Sequence, residues 1–313
     1  MVDLTNPIYT DANKAREHLE ALRWPNGPAC PHCGNVDQAR IKKMEGKSLR
    51  PGVYQCNECR KPFSVTIGTV FEDSKIALNK WVLATHLMAS SKKGISAHQL
   101  HRMLGVTYKT AWFMAHRIRL AMEPTETPPL GSGGGTVEVD ETFIGRLEGQ
   151  PKKRRGGTTT FKNTVFALVE RGGSARLFHV EGTTAGELIP IIRANVAPGA
   201  TVFSDEGRWY KPLGQHFTHE VVNHSRKEYV RGDVHTNTVE GFFGTFKRGM
   251  KGVYQHCAEK HLHRYLAEFN FRYNNRIALG VNDSERADRI LKGADGKRLT
   301  YRRIDEARLQ ATG

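Results

Sequence analysis

The sequence predicts an α/β protein of two or three compact domains, and three observations support this class. The chain has 313 residues, whereas a single domain commonly spans about 100 to 200. Residues 124–135, PTETPPLGSGGG, combine prolines with a Gly/Ser cluster and are typical of a flexible linker. Beyond them, segments with an apolar period of two alternate with segments of helical period. We therefore expect a domain boundary at this linker.

The chain is strongly basic, with 47 Lys and Arg residues, 32 Asp and Glu residues and a net charge of +15. Residues 74–128 are the most basic part, with eight basic and two acidic residues. This charge favours double-stranded DNA as a partner, although charge alone also fits an anionic membrane surface. No run reaches the ~18 apolar residues of a membrane helix, and the N-terminal segment does not resemble a signal peptide. We expect a cytoplasmic protein that associates with the nucleoid through DNA.

Four of the five cysteines form two CxxC pairs that are separated by 22 residues. Each CxxC turn holds two thiolates on one side, so two turns complete the tetrahedral sulfur site of a structural Zn²⁺. Disulfides and a redox CxxC are the alternatives, but the expected reducing compartment and the second matched pair favour zinc. Short β patterns around the pairs predict a zinc ribbon over residues 1–73, with the ligands Cys30, Cys33, Cys56 and Cys59.

A helix-turn-helix DNA-binding domain is predicted over residues 74–123. An amphipathic helix is followed by a short helix, a turn at Gly105 and a second helix with Thr107 as its N-cap. In such a motif the first outward side chains of the second helix face the major groove, here Tyr108, Lys109 and Trp112. Contacts to phosphates are expected from Arg117 and Arg119. The alternative is an ordinary helical hairpin with solvated basic residues.

Three acids beyond the linker occupy positions that suit metal chemistry. Asp140 is expected near the end of a strand in TVEVDETFIG, and Asp205 ends the strand in ATVFSDEG. Glu240 borders the apolar stripe of a helix in HTNTVEGFFGTFKRGMKGV. Mg²⁺ prefers carboxylate oxygens, and two such ions about 4 Å apart can assist phosphodiester chemistry. Most acids are solvated surface charges, so these three alone do not establish a site.

Over nearly its whole length the chain resembles the zinc-ribbon insertion-sequence transposases of the ISXO2-like group. The resemblance lies in the ordered motifs CPHCG with a second CxxC, VEVDETFIG, FSDEG, HTNTVEGFFGTFKRGMKGVYQH and FNFRYNNR. It implies an RNase H-like domain over residues 136–313, a mixed sheet flanked by helices, with a DDE-type triad that binds Mg²⁺ or Mn²⁺. In this triad Asp140 matches the first acid and Asp205 the second.

The third metal position has two candidates, because members of this group carry either Asn or Glu there. We prefer Glu240 to Asn237, because 34 residues separate it from Asp205 and a carboxylate binds a hard cation better than an amide. Lys247 follows seven positions later, where such enzymes often keep a basic residue. Asn237 is then expected to orient Glu240 or to contact DNA.

The resemblance implies a DNA transposase that binds element ends, frees a 3′-hydroxyl by hydrolysis and transfers it to target DNA. We expect a homodimer or higher oligomer on DNA. We expect Lys247 and Arg248 to bind phosphate. A second DNA segment is expected to bind the run Lys152, Lys153, Arg154 and Arg155. That run is equally typical of a solvated loop.

Two other functions stay open. One is a zinc-ribbon and helix-turn-helix regulator whose C-terminal domain is catalytically silent. The other is an RNase H-like nuclease that cuts nucleic acid without joining it. Neither the terminal sequence nor the target preference of the element can be deduced from these residues.

Overall fold

The computed structural model describes residues 3–46, 48–150 and 161–300, and contacts divide the chain into two units. The C-terminal unit comprises Ser91–Ser96 and Glu123–Asn282, and the N-terminal unit comprises the other described residues. The α-helices are α1 (Pro7–Thr10), α2 (Ala12–Arg23), α3 (Leu78–Ser90), α4 (Ala97–Leu104), α5 (Tyr108–Ala121), α6 (Ala185–Asn195), α7 (Asn237–Gly249), α8 (Leu262–Asn274) and α9 (Asp283–Lys292). The strands are β1 (Ile41–Lys43), β2 (Val53–Cys56), β3 (Pro62–Ser64), β4 (Thr136–Ile144), β5 (Asn163–Glu170), β6 (Ala175–Val180), β7 (Thr201–Ser204), β8 (Thr218–Val221), β9 (Val230–Arg231) and β10 (Val234–His235).

The predicted zinc ribbon contains a three-stranded antiparallel sheet in the order β1-β2-β3. Trp24, which follows α2, packs edge-on against the rings of Tyr54 and Phe63, at centroid distances of 5.6 and 5.7 Å. A sheet this small encloses little apolar volume. Its stability therefore depends on this aromatic cluster and on the cysteine site described below.

Helices α3, α4 and α5 form the predicted helix-turn-helix region. Gly105 has a φ of 60° in the turn between α4 and α5, a conformation that favours glycine. Thr107 caps α5, because its Oγ1 accepts a hydrogen bond from the N–H of Thr110 at 3.2 Å. The residues predicted to face inward from α4 and α5 are buried, namely Leu100, Leu104, Ala111, Ala115 and Ile118.

Helix α9 belongs to the N-terminal unit, whereas the sequence-based boundaries assign residues 136–313 to one domain. Ile290 and Leu291 of α9 are buried, and Arg286 donates from Nη1 to the carbonyl oxygen of Ala89 at 2.9 Å. Long-range packing of this kind cannot be deduced from the local pattern of α9. The chain returns to its first unit after the second is complete.

The segment predicted as a flexible linker is bound to the C-terminal unit in its second half. Leu130 is buried, and its N–H donates to the carbonyl oxygen of Asn195 at 2.9 Å. The N–H of Gly131 donates to Oε1 of Glu170 at 3.0 Å. Residues 130 and 131 are therefore part of the folded unit rather than a free tether.

A five-stranded mixed sheet in the order β6-β5-β4-β7-β8 is the centre of the C-terminal unit. Strands β4, β5 and β6 are antiparallel neighbours, and β5 and β6 form a hairpin. Strands β4, β7 and β8 run parallel. This order and sense are those of the predicted RNase H-like fold, with helices on both faces.

Strand β4 contributes side chains to two different cores. Val137 and Val139 pack with α6 on one face of the sheet. On the other face α7 and α8 pack on residues of β5 and β6. Because side chains alternate along a strand, Glu138 and Asp140 project from β4 to the α7 face.

Within residues 3–46, 48–150 and 161–300, no helix is long and apolar enough to cross a membrane.

Candidate active site

Asp140 of β4 and Asp205, the residue after β7, lie at equivalent positions when the pairing of these parallel strands is extended. The ladder between these strands ends with Glu138 opposite Phe203, and the two aspartates stand two positions further on. Neighbouring strands are about 4.8 Å apart, so the two carboxyl groups are close. Asp205 directly follows β7, as predicted. Asp140 instead lies in the middle of β4, because β5 continues to pair with β4 as far as Ile144.

The carboxyl group of Asp140 is largely buried among other acids. Burial, followed by the charges of Glu141, Asp205 and Glu240, raises the pKa of Asp140 to about 8. Burial also raises the pKa of Asp205, and the charges of Glu206 and Glu240 act in the same direction. Crowded carboxylates of this kind are stabilised by a divalent cation. Their hard oxygen donors fit Mg²⁺ or Mn²⁺.

Helix α7 packs on the face of the sheet to which Asp140 projects, and it carries Glu240. Its apolar stripe is buried against the sheet as predicted, through Val239, Phe242, Phe246 and Met250. Glu240 stands beside this stripe with 49% of its side chain exposed. Its Oε1 accepts a hydrogen bond from Oγ1 of Thr236 at 3.0 Å. The charge of Glu240 acts with burial and the other acids to raise the pKa of Asp140 and of Asp205, and it is the smallest of these effects. We refer to Asp140, Asp205 and Glu240 together as the electrostatic cluster.

The other predicted residues of α7 lie at its two ends. Asn237 is the first residue of the helix and is exposed, and its backbone N–H donates to Nδ1 of His235 at 3.3 Å. Lys247 lies in the last turn with Nζ 5.9 Å from the centroid of the Phe243 ring, and Arg248 beside it is exposed. Seven residues of helix place Lys247 about 10 Å from Glu240 along the axis.

Glu141 is a fourth acid near this site that sequence analysis missed, and it projects from β4 to the opposite face, where Tyr210 lies in the core. Its Oε2 accepts a hydrogen bond from the hydroxyl of Tyr210 at 2.6 Å. Burial raises the pKa of Glu141, with a further contribution from the charge of Asp205. The pair Asp140-Glu141 is visible in the sequence, but Tyr210 lies 69 positions away, so this contact has no local signal.

Glu206 and His224 form a second arrangement that sequence analysis missed. The carboxylate of Glu206 accepts hydrogen bonds from the backbone N–H groups of His224 and Ser225 at 2.8 and 3.0 Å. These bonds hold His224 beside the acids, with its Nε2 4.0 Å from Oε1 of Glu240. The charge of His224 also lowers the pKa of Asp205, against the dominant effect of burial.

The start of helix α5 exposes the residues predicted to read the major groove. Tyr108 is 45% exposed and stacks on the ring of His98 at a centroid distance of 4.3 Å. Lys109 is exposed and Trp112 is partly exposed. These three side chains therefore reach solvent from the first turns of the helix.

The prediction that Arg117 and Arg119 contact phosphates needs correction, because both side chains are buried in the N-terminal unit. Arg117 donates from Nη1 to the carbonyl oxygen of Glu72 at 3.0 Å and from Nε to that of Leu299 at 3.1 Å. Burial lowers its pKa. The later turns of α5 point into the unit, where carbonyl groups from distant segments bind the guanidinium of Arg117.

The predicted basic run Lys152, Lys153, Arg154 and Arg155 lies outside the described residues.

The four ribbon cysteines converge, and their sulfur atoms all lie within 4.8 Å of one another. Sγ of Cys30 is 3.6 Å from Sγ of Cys59, and Sγ of Cys33 is 3.7 Å from Sγ of Cys56. Four sulfurs at about 2.3 Å from a tetrahedral Zn²⁺ are about 3.8 Å apart, so the spacing fits. The four thiolates fill the coordination shell, as in a structural zinc site.

Comparison with known proteins matches both parts of this arrangement. A transposase zinc-ribbon domain matches residues 10–62, and an ISXO2-like transposase domain matches residues 133–274. An uncharacterized protein in transposable element ISH50 of Halobacterium salinarum is 30% identical over 279 residues, which cover 84% of this chain and 91% of that protein. The chain belongs to the ISXO2-like transposase family.

Two further comparisons cover less of this transposase or are more distant. An uncharacterized transposase-like protein of Haemophilus influenzae is 30% identical over 97 residues, which cover 31% of this chain and 77% of that protein. The crystal structure of the Mos1 strand transfer complex covers 70% of this chain and 79% of its own, with 11% identity. Its TM-score is 0.28.

The matched ranges account for both candidate metal sites of the transposase. All four ribbon cysteines lie within residues 10–62, and the acids Asp140, Asp205 and Glu240 lie within residues 133–274. Helices α4 and α5 fall between the two matches. The protein is thus a DNA transposase with a zinc ribbon and a DDE-type transposase domain.

Proposed function

We propose that this transposase cuts DNA at element ends and joins the freed 3′-hydroxyl to target DNA, using Asp140, Asp205 and Glu240. The observation that carries the proposal is the electrostatic cluster of these acids. Two of them occupy matching positions on parallel strands, and the third raises the pKa of both from α7. Perturbed acids gathered at one edge of a sheet are typical of a catalytic site.

The three carboxylates are the residues that would hold Mg²⁺ or Mn²⁺. Such an ion would supply electrostatic stabilisation for the attacking and leaving oxygens of phosphodiester exchange. The protein's own contribution is to hold the acids in place before DNA arrives. Gly207 donates its N–H to Oδ1 of Asp205 at 3.0 Å, and Thr236 donates to Glu240. Preorganised ligands avoid the free-energy cost of rearrangement during the reaction.

DNA binding is assigned to surfaces around this site and to the N-terminal unit. We assign groove recognition to Tyr108, Lys109 and Trp112. Phosphate contacts near the acids are assigned to Lys247 and Arg248, which follow Glu240 on the same helix. Residues 152–155 are proposed to contact a second DNA segment. Joining two ends of one element further implies a homodimer or a higher oligomer on DNA.

The test is cleavage and joining of a labelled duplex that carries the cognate element end, with Mg²⁺ present. We expect the wild type to cut and join, and Asp140→Asn and Asp205→Asn to bind the duplex without cutting it. Glu268→Gln is a control, because Glu268 is a fully buried acid of the same unit that pairs with Arg272 rather than with the cluster.

Three outcomes would separate the alternatives. A wild type that binds the end but never cuts would favour a regulator with a silent C-terminal domain. A wild type that cuts but never joins would favour a nuclease. Cleavage that survives Asp140→Asn would show that the acids are not the catalytic groups.

A further inference from the structure

Glu138 is a fully buried acid that lies outside the proposed triad. It stands two positions before Asp140 on β4 and projects to the same face of the sheet. A buried carboxylate is costly unless hydrogen bonds compensate it. Its Oε1 accepts from Nε of Arg171 at 2.6 Å and from Oγ1 of Thr238 at 2.8 Å. Its Oε2 accepts from the backbone N–H groups of Thr238 and Val239 at 2.7 and 2.9 Å.

These bonds complete the first turn of α7. The first backbone N–H groups of a helix have no partner within the helix and need an acceptor from elsewhere. The N–H of Asn237 donates to His235, and those of Thr238 and Val239 donate to Glu138. The N–H of Glu240 is the first to find a helical carbonyl, that of Thr236. Glu138 therefore serves as the cap of α7, although it lies about 100 residues earlier in the chain.

This long-range cap changes what Thr236 does. Thr236 is the N-cap residue, yet its side chain makes no capping bond. An N-cap threonine ordinarily accepts from the second or third N–H of its helix. Because Glu138 already binds those groups, Oγ1 of Thr236 donates instead to Oε1 of Glu240 at 3.0 Å.

Arg171 joins the same network from the far end of β5. Its Nη1 donates to the carbonyl oxygen of Asp233 at 2.7 Å, and its Nη2 donates to that of His235 at 3.0 Å. Its Nε binds Glu138. The guanidinium therefore holds the segment that leads into α7 against the same carboxylate that caps the helix.

We propose that Glu138 is a positioning residue that fixes the start of α7 to β4 and thereby sets the separation of Asp140 and Glu240. The inference rests on the proposed triad. One strand carries Asp140 and the cap two residues apart, so any movement of α7 along or away from β4 breaks at least two charge-assisted hydrogen bonds. The network thereby fixes the position of Glu240 relative to Asp140 before metal or DNA binds.

The test is Mn²⁺ binding to the zinc-loaded, DNA-free protein, followed by electron paramagnetic resonance of the free ion. Loss of a residue that orients a metal ligand commonly weakens metal affinity by about 10- to 100-fold. We expect Glu138→Gln to weaken Mn²⁺ binding by that amount. The matched control is Glu268→Gln, which alters an equally buried, arginine-paired acid and should change Mn²⁺ affinity less than about twofold.

A milder pair of variants covers the case in which Glu138→Gln does not fold. Thr238→Val removes the hydroxyl that donates to Glu138, and Thr238→Ser keeps it. We expect Thr238→Val to weaken Mn²⁺ binding by roughly threefold, the size of one hydrogen bond, and Thr238→Ser to bind as the wild type does.

The outcomes separate the positioning role from the proposed function. If Asp140→Asn weakens Mn²⁺ binding while folded Glu138→Gln and Thr238→Val bind as the wild type does, the positioning role is wrong and the metal site stands. If Asp140→Asn also binds Mn²⁺ as the wild type does, the metal site itself is wrong, and the role of Glu138 fails with it.

Discussion

Asp140 of β4 and Asp205, the residue after β7, occupy matching positions on adjacent parallel strands, on the face that α7 covers. The two acids lie two positions beyond the last paired residues of these strands, Glu138 and Phe203. Burial raises the pKa of both, so their ionised forms are disfavoured in the protein alone. The fold thus loses stability at the place where we propose that a cation binds.

We expect Asp140→Asn to stabilise the Mg²⁺-free protein. The folded-state pKa of Asp140 is about 8, whereas the ordinary value is 3.8. As pH rises between these values, the unfolded chain loses this proton first, so the folded state loses stability. At pH 7 the substitution should raise the free energy of unfolding by up to about 4 kcal/mol, at about 1.4 kcal/mol for each pH unit above 3.8. Thermal unfolding of both proteins at pH 5 and pH 8 checks this. If the variant is stabilised over the wild type no more at pH 8 than at pH 5, the prediction is contradicted.

Loss of zinc should unfold the ribbon. We expect Cys56→Ser to lose bound zinc and to lower the unfolding temperature, because metal binding supplies much of the folding free energy of such small modules. Zinc content by atomic emission, together with thermal unfolding, measures both effects. Cys257→Ser is the control, since Cys257 packs against the C-terminal core and lies outside the cysteine cluster. Equal zinc loss in both variants would argue against the assigned ligands.

Two basic residues of α5 should behave differently when each is replaced by alanine. Lys109 is exposed at the start of the helix, so Lys109→Ala should weaken binding to the element end by about 10-fold without loss of stability. Arg117 is buried and binds backbone carbonyls, so Arg117→Ala should lower the free energy of unfolding by about 2 kcal/mol. Fluorescence anisotropy with labelled DNA and chemical denaturation measure the two effects. Reversed effects would place Arg117, not Lys109, at the DNA.

The sequence predicted correctly those features that depend on residues close together in the chain. The CxxC pairs, the Thr107 cap and the apolar stripe of α7 all appear in the structure as the sequence indicates. In each case the relevant spacing is a turn or a helical period, which a single segment specifies. The mixed sheet flanked by helices was expected from the family resemblance rather than from any one segment.

Contacts between distant segments were not predictable in the same way. Glu138 appears in the sequence as the polar member of an alternating strand, yet its partners lie on α7 about 100 residues later. From the sequence, Arg117 was expected to be an exposed basic residue, yet the carbonyl oxygens that accept its hydrogen bonds belong to residues 72 and 299. A charged residue is buried when remote groups satisfy its hydrogen bonds, and a linear pattern carries no record of those groups.

We propose that Glu240, rather than Asn237, acts with Asp140 and Asp205. The most direct measurement compares Mg²⁺-dependent cleavage of a labelled element end by Glu240→Gln and Asn237→Ala, after both variants are shown to bind the duplex. The account predicts that Glu240→Gln loses at least about 100-fold in cleavage rate and that Asn237→Ala stays within about 10-fold of the wild type. Cleavage that survives Glu240→Gln but not Asn237→Ala would contradict it and assign the third position to Asn237.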